Sequence, residues 1–134
     1  MVTLGFVVAE FNASVTDGME DAARDAAAER GADVADVLRV PGVYDSPLAA
    51  DRLARRDDVD AVVVVGAIVT GDTAHDRVIG DATAQALTDV SLERDKPVTL
   101  GVSGPGQSGA EARERVGKGA EAVNAAVDMV EVLA

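Results

Sequence analysis

The sequence predicts the α/β fold class, with a three-layer α/β/α domain built on a four-stranded parallel sheet. Apolar runs alternate four times with stretches whose apolar residues have helical spacing. The third run, Ala61 to Val65, is apolar on both faces, as expected for a central strand covered by helices on both sides. A chain of 134 residues suits one core, so we expect residues 1–134 to form a single domain.

The first strand is predicted at the apolar run from Thr3 to Ala9. An alanine-rich helix follows it up to Gly31, and the helix start is placed at Ser14, which has capping-box spacing with Asp17. The second strand is predicted at Asp33 to Val40, where apolar residues again recur.

The second and third helices have recognisable starts. Ser46 and Pro47 supply an N-cap and a proline at the first helical position for a short helix that ends near Arg56. The third strand, Asp60 to Val65, leads through a glycine-bearing loop into a helix that begins near Thr73. This third helix carries one apolar stripe, made of Val78, Ile79, Ala82, Ala86, Leu87 and Val90.

The fourth strand is predicted at Pro97 to Val102, and one last helix follows, bent early by Gly117 and Gly119. For these four units we expect right-handed connections and the flavodoxin-like strand order 2-1-3-4. Ligands of such sheets bind beyond the carboxyl ends of the strands. The loops at that edge are residues 10–13, 41–46, 66–74 and 103–109, which makes them the predicted place for a site.

The composition excludes several classes of function. The chain has no cysteine and a single histidine, so we expect no disulfide, no thiol catalysis and no metal site. A net charge of −12 argues against a nucleic-acid partner. No apolar run reaches the roughly 20 residues that span a bilayer, and the first residues do not resemble a secretory signal. We therefore expect a cytoplasmic protein without a membrane partner.

The charge balance also indicates the kind of cell that the protein comes from. There are 24 acidic residues against 12 basic ones, and only Lys96 and Lys118 are lysines. An acidic surface can simply keep a protein soluble. We favour adaptation to a salt-rich cytoplasm, because screening there removes the self-repulsion of such a surface.

The loop after the third strand gives the strongest functional signal. It starts at Gly66 and leads into the first helical turn, which carries His75, the only histidine. Backbone N–H groups at a helix start favour an anion, and an imidazole exchanges protons near neutral pH. The segment therefore predicts a phosphate held beside an acid–base group, with Asp72 capping the helix. The ordinary alternative is that His75 is simply exposed to solvent, which is the more frequent case for a lone histidine.

Other candidates have ordinary explanations as well as functional ones. Phe11 either plugs the core locally or stacks on a flat heterocycle. Tyr44 and Asp45 either form a turn and a helix cap or bind polar hydroxyls. Arg115 and Lys118 lie in the last helix among acidic neighbours, and taken alone they predict surface ion pairs of little energetic value.

Taken together, these residues resemble the lumazine synthase family, which acts in the penultimate step of riboflavin formation. The matching segments, in family order and spacing, are residues 9–12, 40–47, 66–75, 96–102 and 114–115. Ser103 to Gly106 is similar to the archaeal form, which fits a haloarchaeal composition.

The resemblance implies a reaction without a cofactor. Family members join 5-amino-6-(D-ribitylamino)uracil to 3,4-dihydroxy-2-butanone 4-phosphate, and phosphate and water leave to give 6,7-dimethyl-8-ribityllumazine. The resemblance also implies that His75 transfers protons and that Arg115 pairs with the phosphate. The other implied substrate-binding residues are Phe11, Asn12, Val43, Tyr44, Asp45, Ala67, Ile68, Val69, Asp72, Thr73, Leu100 and Lys118.

Their implied roles follow the two substrates. Phe11 stacks on the pyrimidine, whose edge is read by backbone around Val43, Ala67 and Ile68, while Tyr44 and Asp45 hold the ribityl chain. Asp72 and Thr73 form the phosphate-side turn, and Lys118 is matched to the family's pyrimidine-side lysine. Leu100 stands where many members have phenylalanine at the subunit boundary.

The resemblance further implies a homo-oligomer, in which Leu100 and Arg115 reach a neighbour's site. We expect a pentamer, with a sixty-subunit shell as the alternative. Two other functions stay open from the sequence. One is an archaeal riboflavin synthase that dismutates two lumazines, and the other is a non-catalytic binder of flavin-like or pterin-like ligands.

Overall fold

The computed structural model of the protein describes residues 1–71 and 73–134. In this part of the chain, four parallel strands form one sheet in the order β2-β1-β3-β4. The strands are β1 (Thr3–Ala9), β2 (Asp33–Val40), β3 (Ala61–Ala67) and β4 (Val98–Ser103). The predicted α/β class and the strand order 2-1-3-4 are both confirmed.

Helices cover both faces of the sheet. They are α1 (Ala13–Glu29), α2 (Ser46–Ala54), α3 (His75–Arg94), α4 (Gly109–Glu114) and α5 (Lys118–Leu133), with a short 3-10 turn at Val43–Asp45. Helices α1 and α5 pack against each other on one face, and α2 and α3 do so on the other. Within the described residues, no helix is long and apolar enough to cross a membrane.

Strand β3 supplies side chains to both layers of the core. Val63 and Val65 pack in the cluster under α1 and α5, whereas Val62 and Val64 pack in the cluster under α2 and α3. Every residue of β3 is buried, as its two-sided apolar sequence predicts. Each fully buried valine contributes about 1.5–3 kcal/mol by leaving water, so this strand fixes the sheet that carries the loops.

The predicted capping box at the start of the first helix is wrong. Helix α1 already begins at Ala13, so Ser14 lies inside its first turn and no side chain caps it. The residue before the helix, Asn12, has a left-handed backbone with φ 67°, and its carbonyl accepts hydrogen bonds from Val15 and Thr16. Asparagine tolerates this conformation, so the turn into the helix is made by the backbone.

The N-cap predicted at Ser46 is wrong as well. Helix α2 includes Ser46, and the N-cap position is occupied by Asp45 without a side-chain cap. The Ser46 hydroxyl instead donates a hydrogen bond of 2.7 Å to the Val43 carbonyl, which ties the 3-10 turn to the helix. The turn and the helix therefore form one continuous unit, which is how the chain turns sharply after β2.

The single last helix of the prediction is in fact two helices. Ser108 caps α4 by a capping box with Glu111, and the helix ends at Glu114. The N–H groups of Arg115, Lys118 and Gly119 each bond to the carbonyl three residues earlier, so the chain makes a tight turn before α5. Arg115 therefore lies in the turn between α4 and α5 and not within a continuous helix.

A buried carboxylate joins α1 to the edge strand β2. Glu20 is 6% exposed and accepts hydrogen bonds of 2.6 and 2.9 Å from Arg39 and one of 2.9 Å from Arg24. The hydrogen bond from Arg39 lowers the pKa of Glu20, against the opposing effect of burial. The ionised form is therefore the one that stabilises the fold.

We expect Glu20→Gln to cost about 1 kcal/mol of unfolding free energy at neutral pH, since both arginines are half exposed and solvent screens the ion pairs. Because folding lowers the pKa of Glu20, its contribution is complete above the ordinary value of 4.5 and disappears as pH falls through the lower folded-state value. Denaturant titrations between pH 7 and pH 3 measure this. A difference between wild type and variant that stays constant with pH would contradict it, and Asp21→Asn, exposed on the same helix, is the control.

Candidate active site

A cavity of about 450 Å³ opens where the loops after β1, β2 and β3 meet at the carboxyl edge of the sheet. Its lining residues come from all three loops and from the first turn of α3. The predicted site residues that line it are Phe11, Asn12, Val43, Tyr44, Asp45, Ala67, Ile68, Val69, Thr73 and His75. Gly42, Gly71, Asp76 and Ile79 also line it. The structure thus brings together residues that the sequence separates widely.

Two aromatic rings stand at this cavity with most of their surface in solvent. Phe11 is 72% exposed and Tyr44 is 65% exposed. A phenyl ring in solvent forgoes the stabilisation that burial would give it, so the interpretation of Phe11 as a local core plug is wrong for this chain. Backbone hydrogen bonds from Glu10 to Val40 and from Phe11 to Pro41 hold the ring-bearing loop against the end of β2.

The turn after β2 fixes the polar side of the cavity. The Asp45 carboxylate accepts a hydrogen bond of 3.0 Å from the Gly42 N–H, and the Asp45 N–H donates back to the Gly42 carbonyl at 3.0 Å. The carboxylate is therefore held in place while its side chain stays exposed. Opposite this turn, the Asn12 amide reaches the Ala67 carbonyl at 3.4 Å and connects the loops after β1 and β3.

His75 is the first residue of α3 and is exposed toward the cavity. Its backbone N–H donates a hydrogen bond of 3.2 Å to the Thr73 hydroxyl, which stabilises the turn before the helix. Asp76, next in the chain, also lines the cavity. Because the positive end of the α3 dipole and an imidazole share this place, the cavity suits an anion beside a proton-transfer group. The predicted cap Asp72 lies outside the described residues.

Arg115 and Lys118 line a different cavity of about 460 Å³, together with Ser103, Gly104, Glu114, Gly117 and Glu121. The Arg115 guanidinium donates a hydrogen bond of 2.9 Å to the Gln107 side chain and lies 3.4 Å from the Glu111 carboxylate. Lys118 lies 3.5 Å from Glu121. Leu100 is 44% exposed at the outer side of β4. Within one copy, these three predicted residues do not share a cavity with His75.

The carboxylate beside Arg115 is held ionised by its helix cap. Hydrogen bonds from the backbone and side chain of Ser108 lower the pKa of Glu111, with a smaller effect from Arg115. The lining of the second cavity itself carries both signs of charge, with Glu114 and Glu121 beside Arg115 and Lys118. Among the described residues, no group of three or more histidine, cysteine or acidic side chains is arranged to hold a metal ion.

The family model described as 6,7-dimethyl-8-ribityllumazine synthase matches residues 1–134 of this chain. The chain belongs to that family. An enzyme of this name from Halobacterium salinarum is 71% identical over 99% of this chain and 100% of the relative. Relatives of the same name from Halorubrum lacusprofundi and Methanocaldococcus jannaschii are 69% and 50% identical, over 99% of this chain in each case and 99% and 94% of the relatives.

These relatives agree with the interpretation of the composition. Two of them come from salt-loving archaea, and this chain, which is acidic and poor in lysine, has a net charge of −12. Screening by concentrated salt offsets the repulsion among so many carboxylates. The halophilic character predicted from the charge balance is therefore supported.

For this lumazine synthase family member, sequence reasoning missed one buried side chain next to the site. Gln107 is 1% exposed and contacts both Arg115 and the loop that follows β3. Its only sequence signal is a polar residue directly after a glycine–proline loop, and such residues are usually exposed. The contact arises from the fold, because Gln107 and Ile68 are 39 residues apart.

Proposed function

We propose that this chain condenses 5-amino-6-(D-ribitylamino)uracil with 3,4-dihydroxy-2-butanone 4-phosphate to form 6,7-dimethyl-8-ribityllumazine, releasing phosphate and water. The observation that carries the proposal is that exposed Phe11, the Asp45 turn and His75 line one cavity. A flat ring, a polyol chain and an anion are the three features that these groups recognise by stacking, hydrogen bonding and charge. The family membership supports the same reaction.

In the proposed mechanism, the primary amine of the pyrimidine substrate attacks the ketone of the butanone phosphate, and a first water leaves as the imine forms. His75 then takes a proton from the carbon next to the imine, and the electron pair expels phosphate. The α3 N-terminus and Arg115 stabilise the charge on the departing phosphate. The resulting enol tautomerises to a ketone, the second amine attacks this carbonyl to close the ring, and a second water leaves. Holding two substrates in register supplies much of the acceleration.

We further propose that the complete site is formed between two copies of the chain, in a homopentamer. Arg115, Lys118 and Leu100 line other surfaces than the His75 cavity, which supports their serving a neighbour's site. The apolar stripe of α3 is also only partly covered, since Val78 is 62% exposed. Analytical ultracentrifugation in concentrated KCl separates a pentamer, a sixty-subunit shell and a monomer. A monomer active at low concentration would contradict this assembly.

The acidic, lysine-poor composition supports a location in a salt-rich cytoplasm, which completes this proposal.

The decisive assay supplies both substrates and follows lumazine absorbance and inorganic phosphate together. We expect the two products to appear in equal amounts, and neither to form when one substrate is omitted. Riboflavin formed from lumazine alone would favour a dismutating riboflavin synthase instead. Tight lumazine binding with no turnover would favour a ligand-binding protein.

Phe11→Ala is expected to raise KM for the pyrimidine substrate about tenfold, since stacking of a base on an aromatic ring contributes on the order of 1–3 kcal/mol. The fold is expected to be unaffected, because the ring is 72% exposed. Steady-state kinetics with the pyrimidine varied measures the effect. Val132→Ala, at a residue 76% exposed near the end of α5, is the matched control. Unchanged KM in Phe11→Ala would exclude the stacking role.

A further inference from the structure

Gln107 is a buried amide whose side-chain polar atoms are all used. Its Nε2 donates hydrogen bonds to the Ser103 hydroxyl at 2.9 Å and to the Ile68 carbonyl at 3.3 Å. Its Oε1 accepts the hydrogen bond of 2.9 Å from Arg115 Nη1. Burial of an amide is costly unless such partners are present, so the side chain has one orientation in which every group is satisfied.

This amide lies between the two cavities. The backbone carbonyl of Gln107 accepts a hydrogen bond of 2.7 Å from Thr70, and the Ser103 carbonyl accepts one of 2.8 Å from Ile68. The loops after β3 and β4 are therefore held together by backbone and side-chain bonds at the same place. Ile68 lines the cavity that contains His75, whereas Arg115 lines the second cavity.

The Arg115 side chain needs an external constraint to present its charge in one direction. It is half exposed, and its ion pair with Glu111 is long at 3.4 Å and lies on the surface, where such pairs contribute little. The bond to Gln107 is shorter and its acceptor is buried. The acceptor is also neutral, so it orients the guanidinium without cancelling the positive charge that binds an anion.

We propose that Gln107 is a positioning residue for Arg115, holding Nη1 so that the remaining N–H groups face the phosphate of the substrate. This inference rests on the proposed function, in which Arg115 pairs with that phosphate. Through Nε2 the same amide connects the arginine to the backbone of Ile68, which lines the cavity that contains His75. The guanidinium is thus pre-oriented before substrate arrives, which lowers the entropy lost on binding.

The test compares Gln107→Leu with wild type and with Gln85→Leu, an exposed glutamine on α3 that bonds only to Asp89. Leucine keeps the volume of Gln107 but removes the acceptor. We expect KM for the butanone phosphate and the inhibition constant of inorganic phosphate to rise roughly tenfold, the effect of one lost hydrogen bond to a charged group. KM for the pyrimidine should stay at the wild-type value, as should all constants of Gln85→Leu.

A merely structural role for Gln107 predicts a different pattern. A structural role predicts a lower melting temperature, equal effects on both substrates, and losses that add to those of Arg115→Ala. Either equal effects on both substrates or additive losses would overturn the inference. Positioning predicts that Gln107→Leu has little further effect once Arg115 is alanine. If wild type itself produces no lumazine, the proposed function fails, and the positioning role that rests on it fails as well. If wild type produces lumazine but Gln107→Leu has wild-type constants, the positioning role alone is overturned.

Should Gln107→Leu not fold, Ser103→Ala provides the test. This change removes the hydroxyl that accepts from Nε2 while leaving the amide and Arg115 in place. We expect a smaller rise in the same two constants, of two- to fivefold, on the order of a weakened neutral hydrogen bond. Constants equal to those of wild type in Ser103→Ala would overturn the positioning role.

Discussion

Arg115→Ala is expected to lower kcat/KM for the butanone phosphate about a hundredfold, the effect of removing charge-assisted hydrogen bonds from a phosphate that becomes more negative as it leaves. The fold should tolerate the change, because the side chain is half exposed and its bonds are those to Gln107 and Glu111. Steady-state kinetics with each substrate varied in turn measures the effect. Inorganic phosphate should also inhibit the variant far less strongly than wild type.

Arg113→Ala is the matched control for this variant. Arg113 is exposed on the short helix α4, which ends just before Arg115, and it lines neither cavity. The control separates loss of one cation near the site from loss of the guanidinium that contacts phosphate. Wild-type kcat/KM in Arg115→Ala, or an equal loss in Arg113→Ala, would remove Arg115 from the phosphate site.

The sheet was the most predictable part of this molecule. Strands β1 and β2 have the predicted bounds, because each apolar run is bounded by polar or turn residues that end it. Strand β3 extends two residues further than predicted and includes Gly66. A Cβ on Gly66 would lie 2.7 Å from a methyl group of Val43, so the glycine lets the 3-10 turn pack onto the strand. Only the tertiary contact explains why this glycine continues a strand.

Helix ends were predicted less well, since several polar residues compete for each cap. Ser14 and Asp17 have the spacing of a capping box, but a left-handed Asn12 starts the helix one residue earlier. The apolar spacing predicts one continuous final helix and therefore no helix start at Ser108, where a capping box with Glu111 in fact forms. Spacing alone does not distinguish a used cap from an unused one.

The site was predictable as a set of loops, and its division into two cavities was not. Parallel topology alone predicts that the loops with Phe11, Tyr44 and His75 meet at one edge. Arg115 lies in the turn between α4 and α5 and lines the second cavity, and the sequence pattern did not reveal this break in the helix. The burial of the Gln107 amide could not be predicted for a related reason, since burial of a polar side chain depends on partners distant in sequence.

His75→Ala is expected to lower kcat about a hundredfold while leaving KM for both substrates within about twofold, because general acid–base catalysis by a positioned side chain contributes on the order of 10²–10⁴-fold. Some turnover should remain, since both substrates are still held in register. The imidazole is exposed and forms no packing contact in the core, so the fold should be unchanged. Single-turnover kinetics measures the chemical step directly.

His75→Gln is the companion variant, since an amide forms hydrogen bonds but does not exchange protons near neutral pH. It should be as slow as His75→Ala, because neither side chain takes the proton from carbon. Restoration of kcat by glutamine would mean that His75 orients substrate without transferring protons. An unchanged kcat in both variants would exclude it from the mechanism.

Mixing the two slow variants tests the site between copies without any assumption about mechanism. If His75 from one subunit and Arg115 from its neighbour form each site, co-refolded His75→Ala and Arg115→Ala chains regain intact pairs. Random assembly restores roughly a quarter of the sites, because each face of a heterologous ring interface is wild type in half of the copies. We therefore expect activity far above that of either variant alone. Activity equal to the mean of the two variants would show that both residues act within one copy.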